Sequence, residues 1–376
     1  MHATSAEQKD RKGLRTGFTT GACAAAAAKA AVRVYLQKQT LTEIISIIPN
    51  GMAVTFQLYR CELAADYAEC SIIKDGGDDP DCTHGAEIIA RVYLNQDESI
   101  AIRGGVGVAT VTKPGLGLEV GTSAINPVPR QNIAAMVKVE LEAAAYSGAT
   151  VIISVPDGEE RAKQTLNTRL GLLGGISILG TTGVVLPYST SAFIASITQA
   201  IGLAAYQGCQ ETVFTTGGRS ESYAMKLLPH LPEATFIQVG DYIGIGLRNA
   251  MKHSMHTVHI VGMMGKFTKM ADGRMMTHAS ASAVNVVMLS HLLKELGAPE
   301  SVVAEAAVAN TARHVLELCQ ANGIEGLYEA LCCKVAETCH RFARGHLNIE
   351  ITMVDFDGTT LGGYSKKASL THEAKP

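Results

Sequence analysis

Short, unbroken apolar runs separated by helix-like stretches dominate the second half of the chain. The alternation reads as helix 190–206, strand 211–215, helix 220–228, strand 235–239, helix 243–252, strand 257–261 and a long helix near 280–296 that Gly297 and Pro299 stop. Strands alternating with helices predict a parallel sheet covered by helices. Ligands in such sheets sit at the carboxyl ends of the strands, where Thr215 to Arg219, Asp241 and Met263 to Lys266 all fall. The first half reads differently. Residues 14–36 open with a Thr-Thr-Gly element and continue as a helix built on the alanine run, with Lys29 and Arg33 four apart on one face. Strands at 43–48 and 52–60 meet at Pro49-Asn50-Gly51 as a hairpin, and a strand at 68–74, a helix at 133–146 and a strand at 150–155 follow. This predicts an α+β domain over 1–165, a sheet with helices on one side. An α/β domain covers 166–310. The tail, 311–376, adds helices near 301–320 and 326–344 and a strand at 347–354 that is free to return to an earlier sheet.

At 376 residues and 47% apolar content the chain is long enough for two cores. A formal charge of -3 and a pI near 6.5 give no basic field for nucleic acid or an anionic membrane, so an anionic ligand has to be caught by a local group of Arg and Lys. Glu7, Lys9, Asp10, Arg11 and Lys12 have no apolar core behind them, so no secretory signal is expected. No apolar run reaches the roughly 20 residues of a membrane span, and a cytoplasmic protein is expected. Nine cysteines, scattered without a CxxC pair, fit a reducing compartment and no structural zinc. His253, His256 and His259 are evenly spaced, but His259 falls in the strand at 257–261, which breaks a helical ligand face, and no metal is expected there.

Three Thr-Thr-Gly elements stand beside helix starts: GFTTGA at 17–22, LGTTGV at 179–184 and FTTGGRS at 214–220. Glycines let backbone amides converge and threonines add donors, so each is a candidate cradle for polar ligand groups. In the third, a buried strand runs into Thr215, Thr216, Gly217, Gly218 and Arg219, and the next strand ends at Gly240 and Asp241. An acid at that tip suits the two hydroxyls of a ribose. The dinucleotide pattern G-x-G-x-x-G is absent, and GMMGK at 262–266 fails the phosphate-loop pattern, since Phe267 follows the lysine and Ile260 stands at the first glycine. An adenosyl ligand without a phosphate tail fits better than a dinucleotide or ATP, which disfavours a small-molecule kinase. The bland alternative is a tight strand-to-helix turn.

Four segments are too irregular for plain packing: 74–87, 104–117, 124–130 and 166–183. Asp75, Asp78, Asp79 and Asp81 crowd one loop beside His84, where they suit a cation, a proton or ligand N–H groups. A self-capped loop is preferred to a metal site. Lys113, Arg130 and Arg169 sit beside Gly or Pro turns, placed for carboxylates or as solvated surface charges.

The runs LRTGFTTGACAAAAAKAA at 14–31, KDGGDDPDCTHGA at 74–86, VTKPGLG at 111–117, AINPVPR at 124–130, GGISILGTTGVV at 174–185 and FTTGGRSE at 214–221 resemble the cobalt-precorrin-5B C1-methyltransferases of anaerobic cobalamin biosynthesis. Val106 and Leu186 depart from the family pattern, which often carries an acid and a charged residue there. The resemblance implies S-adenosylmethionine as methyl donor and a cobalt-containing, carboxylate-rich tetrapyrrole as acceptor, with cobalt only as part of the substrate. It also implies a first domain similar to the second domain of a ribosomal S5 protein. On that reading Thr215, Thr216, Gly217, Gly218, Arg219 and Asp241 hold the donor. Arg15, Lys113, Arg130 and Arg169, helped by Thr19 and Thr20, hold the acceptor. No protein nucleophile is needed, because the reduced macrocycle carries its own electron-rich carbon. A tetrapyrrole carrier without turnover is the rival reading, and the oligomeric state stays open.

Overall fold

The computed structural model describes residues 10, 13–142, 144, 146–278 and 285–369. The N-terminal charges Glu7, Lys9, Arg11 and Lys12, and the beginning of the helix expected near 280, lie outside these residues. The chain divides into two compact units, Met1–Thr190 and Ser191–Pro376. The first therefore runs on past residue 165 to include the second Thr-Thr-Gly element.

In chain order the first unit contains β1 (Gly17–Phe18), α1 (Thr20–Gln37), β2 (Glu43–Ile47), β3 (Ala53–Gln57), β4 (Arg60–Leu63), β5 (Ala68–Ile73), β6 (Glu87–Asn95) and β7 (Ile100–Gly104). It continues with β8 (Gly107–Val108), β9 (Thr110–Val111), α2 (Pro127–Leu141), β10 (Gly148–Ser154), α3 (Gly158–Ala162), β11 (Leu172–Leu173), β12 (Gly175–Ile176) and β13 (Val184–Val185). The main sheet has the order β4-β5-β6-β10-β7, antiparallel except for the β10–β7 pair, which α2 connects as a crossover. Two of its strands, β6 and β7, are absent from the sequence reading. The expected strand at 52–60 is two strands: β3 closes the hairpin with β2, and β4 leaves it to pair with β5. Helix α2 starts at Pro127, six residues before the expected 133, because Pro127 and Pro129 fall in a first turn whose N–H groups have no intrahelical partner anyway.

Helix α1 is apolar on every side and is buried accordingly; Ala24 to Ala28 have no exposed surface. Alanine is the residue that lets it pack closely against the sheet and α2 together. Its two cations converge on one acid. Arg33 binds Glu140 of α2 through two hydrogen bonds of 2.8 and 2.6 Å, and Lys29 lies 3.8 Å from the same carboxylate.

The second unit contains α4 (Thr190–Tyr206), β14 (Glu211–Thr215), α5 (Gly218–Leu227), β15 (Phe236–Gln238), α6 (Ile243–Lys252), β16 (Thr257–Gly262), α7 (Met264–Ala271), α8 (Val286–Glu295), α9 (Glu300–Ala307), α10 (Ala312–Ala321), α11 (Leu327–Phe342), β17 (Asn348–Val354) and β18 (Thr360–Lys366). The helix expected over 301–320 is two, because Thr311 caps a fresh start by accepting the His314 N–H. The sheet order is β15-β14-β16-β17-β18, parallel up to β17, with β18 as an antiparallel edge. The tail strand β17 thus returns beside β16. Adjacent residues of β14 face opposite layers: Val213 packs under α5, and Phe214 joins the larger core with α4, α6, α7 and α11. The chain crosses from β14 to β15 on one face and from β15 to β16 on the other. The loops after β14 and β16 therefore part at the carboxyl edge of the sheet, the switch point where ligands enter such folds.

Candidate functional site

At that edge β14 ends in Thr215, Thr216 and Gly217, and α5 begins at Gly218 without a side-chain cap. The Thr216 N–H donates to Ser220 Oγ at 3.1 Å, and the Ser220 hydroxyl donates to the Gly217 carbonyl at 2.8 Å, which closes the turn from within. Gly217 is extended, with φ 163°, and nothing lies within 4 Å of the place a Cβ would take. A left-handed backbone is not what the site requires of this glycine; it leaves open space beside the helix start. Thr215 is buried and points back into the sheet, toward the Ile237 carbonyl. Arg219 is exposed, with its guanidinium 5.8 Å from the Phe356 ring.

Asp241 follows β15, which flanks β14 on the side away from β16. Its Oδ1 accepts the Thr277 hydroxyl at 2.9 Å and lies 3.2 Å from Lys266 Nζ. Its Oδ2 has no hydrogen-bond partner among the described residues. Burial pushes the Asp241 carboxyl up, but the Thr277 hydroxyl and the Lys266 ammonium outweigh it and hold the group below the usual carboxylate range. Lys266 also donates to the Thr216 carbonyl at 2.7 Å, so one ammonium ties the ends of β14, β15 and β16 together. Gly240, at φ +57°, lets Phe193 approach the turn, and Phe193 and Tyr242 pair with ring centroids 5.6 Å apart beside Asp241.

Sequence reasoning put Met263 to Lys266 at the same carboxyl edge as Asp241 but gave Lys266 no role, and it did not place Thr277 there. The signal for Lys266 was its place at a strand-to-helix turn in the GMMGK run. Thr277 had none, because its role depends on the 272–278 segment folding back to Asp241.

In the first unit the acceptor candidates separate. Arg15 is committed to the acidic loop. Its guanidinium pairs with Asp75, and its N–H donates to Asp78 at 2.7 Å. Thr19 caps α1, accepting from Ala22, and the Thr20 hydroxyl meets the Ser177 and Leu179 carbonyls at 3.3 Å and the Leu179 N–H at 2.9 Å. Both threonines are buried. The first and second Thr-Thr-Gly elements are in fact partners, since Gly17–Phe18 pairs with Val184–Val185 and the Thr19 N–H donates to the Gly183 carbonyl. Arg130 stands on α2 and donates to the Ile102 carbonyl at 2.8 Å. The β9–β11 pair brings Lys113 against Gly171, where a Cβ would meet Lys113 Cγ at 2.5 Å, and Arg169 stands two residues before that glycine in the chain.

The acids of the 74–87 loop are engaged internally. Asp81 binds the fully buried Lys74 at 2.6 Å and accepts from the Thr83 N–H and hydroxyl. Burial raises the Asp81 pKa, but Lys74 and Thr83 together bring it below the ordinary value. Asp79 accepts the Tyr188 N–H at 2.8 Å, and His84 Nδ1 accepts the Gly76 N–H at 3.0 Å. Among the described residues no group of three metal-binding side chains gathers, and no helix is long and apolar enough to cross a membrane. His259 lies in β16, 2.8 Å from Glu211.

Strand order and loop placement define a doubly wound α/β unit with a ligand edge between β14 and β16, joined in one chain to an α+β unit. The chain belongs to the CbiD family: that family's description matches residues 7–187, and its C-terminal domain matches residues 276–365. The cobalt-precorrin-5B C(1)-methyltransferase of Leptospira interrogans (strain Fiocruz L1-130) is 54% identical over 351 residues, 93% of this chain and 96% of that protein. The protein of the same name from Leptospira borgpetersenii (strain JB197) is 52% identical over 96% of this chain and 98% of its own length. The one from Geobacillus sp. (strain WCH70) is 46% identical over 94% and 97%. A crystal structure of the cobalamin biosynthesis protein cbiD from Archaeoglobus fulgidus is 30% identical, covering 68% of this chain and 79% of that one, with a TM-score of 0.39.

Proposed function

We infer that the chain is an S-adenosylmethionine-dependent methyltransferase that acts on C1 of cobalt-precorrin-5B to give cobalt-precorrin-6A in anaerobic cobalamin biosynthesis. The observation that carries this reading is 54% identity over 93% of the chain to a protein of that name. The carboxyl edge of the second unit supports the donor part. Asp241 Oδ2 is available to a ribose hydroxyl, Gly217 leaves space for close approach, and Phe193 and Tyr242 offer aromatic surface beside them. When bound, S-adenosylmethionine supplies an electrophilic methyl group on a sulfonium. The chain's part is to hold that carbon in line with the acceptor carbon and to exclude water. Lys266 keeps Asp241 ionised and pointed at the edge, while Thr215, Thr216 and Gly218 shape the turn, with Arg219 at its outer rim.

The acceptor carries carboxylates, and Lys113, Arg169 and Arg130 are assigned to them in the first unit, with Arg15 ordering the acidic loop and Thr19 and Thr20 setting the adjacent turn. That unit, as the family resemblance has it, is similar to the second domain of a ribosomal S5 protein. The compartment assigned is the cytoplasm. The test is anaerobic incubation of the full chain with cobalt-precorrin-5B and methyl-labelled S-adenosylmethionine, followed by mass analysis. One labelled methyl at C1 is expected. Tight binding of the tetrapyrrole with no transfer would make the chain a carrier.

A further inference from the structure

A cavity of about 520 Å³ lies within the second unit, between the end of α7, α8 and α11. Its apolar wall is Met275, Met288 and Phe342, and its polar groups are Thr338, Lys334 and Arg341 from α11. The segment leading to Thr277 is shared with the donor site. The Gly244 N–H donates to the Met275 carbonyl, the Thr277 N–H donates to the Asp241 carbonyl, and Lys269 holds the Thr277 carbonyl at 2.9 Å. Met275 and Phe342 both press on Gly244, at the start of the helix that follows Asp241.

Neither Lys334 nor Arg341 has a carboxylate within 4 Å among the described residues. The one acid in the lining, Asp272, is engaged by Arg274 at 3.6 Å and by Asn285 at 2.7 Å. Arg248 adds a further cation near the rim, 5.4 Å from the Phe342 ring. Two uncompensated cations above an apolar wall fit an amphipathic anion with a flat apolar body, and the volume is in the range of small-molecule sites. A second cavity, of about 650 Å³ near Tyr328, has Glu325 and Glu329 and no cation in its lining, so it repels such a ligand.

We propose that the cavity between α7, α8 and α11 binds a peripheral carboxylate of the tetrapyrrole acceptor through Lys334 and Arg341, with part of the macrocycle against Met275, Met288 and Phe342. The assignment rests on the functional reading above. It sets the acceptor beside the segment that also holds Asp241, so one wall orients both reactants.

The test uses the full chain with cobalt-precorrin-5B as ligand. Acceptor binding is followed by its absorbance change in the presence of S-adenosylhomocysteine, and turnover is measured separately. In the Lys334→Gln, Arg341→Gln double variant the acceptor Kd and KM should rise about tenfold or more, and their salt dependence should weaken. The donor Kd and kcat should stay within about twofold of the parent. The charge-retaining pair Lys334→Arg, Arg341→Lys should recover most of the affinity. An unchanged acceptor Kd in the folded glutamine variant overturns the proposal, as does equal loss in the charge-retaining pair. If the parent chain binds the acceptor without methylating it, the functional reading fails while the cavity is still judged by the variant's Kd. If it does neither, both fail.

Discussion

The Thr-Thr-Gly turns of the first unit and the one in the second carry the same three residues and are put to opposite uses. In the first unit two copies face each other: a Cβ at Gly180 would lie 2.3 Å from Thr19 Oγ1, and the Thr19 and Thr20 hydroxyls are spent on backbone groups. In the second unit a Cβ at Gly217 would meet nothing within 4 Å, and the start of α5 has no side-chain cap. Polar groups that satisfy one another make a joint, whereas groups left open at a sheet's carboxyl edge make a site. The motif alone does not distinguish them; the presence of a second copy against it does.

The largest effect expected from this contrast is on Gly180→Val, which combines a clash with Thr19 and a φ of +130°. It should cost more than about 3 kcal/mol and lower the thermal midpoint sharply, and a near-parental melting curve would refute the joint. Asp241→Asn should weaken S-adenosylmethionine binding by about 1–3 kcal/mol with the fold intact, because a charged acceptor for ribose hydroxyls is lost. Calorimetry with unchanged donor affinity would remove Asp241 from the site.

Gly217→Val is the counterpart of Gly180→Val. An extended backbone and open space should keep its stability within about 1 kcal/mol of the parent, while donor affinity falls about tenfold as the side chain fills the approach. Loss of fold there would mean that the two turns are alike. A smaller effect concerns pH. Asp241 has a lowered pKa, so it is ionised at neutrality, and donor affinity should be flat down to about pH 4 and fall only as pH drops through that lowered value. Lys266→Met removes the nearby positive charge, raises the Asp241 pKa and should move the fall to higher pH. Identical profiles for variant and parent would contradict this coupling. The smallest effect is expected for Arg130→Gln, which should raise the acceptor Kd by about 1 kcal/mol and reduce its salt dependence without touching the donor. Equal weakening of both ligands would point to the lost bond to Ile102 instead.

Much of the second unit was legible before folding because its central strands are largely buried and rich in β-branched and apolar residues, as Thr212 to Phe214 and, His259 aside, Thr257 to Val261 are. The first unit hid its central strand. In β6 the polar positions Glu87 and Arg91 break the apolar pattern, and their reason lies across the sheet, where Arg60 holds Glu87 at 2.6 Å and Glu69 holds Arg91 at 2.8 Å. Asp241 was visible as an acid at a strand tip because the strand and the turn after it are local signals. Lys266 was legible only as a neighbour at the same edge, and Thr277 not at all, since their bonds to Asp241 form only when β16 lies beside β14 and the segment after α7 folds back. By itself the sequence determined most element types of the second unit, though not α7 or β18, together with the glycine turns and the family resemblance, all of which depend on residues near one another. Tertiary structure alone decided which partner each threonine met, which carboxylate oxygen stayed open and which cations lacked an acid, because hydrogen-bond and charge compensation is settled between residues that only folding brings within reach.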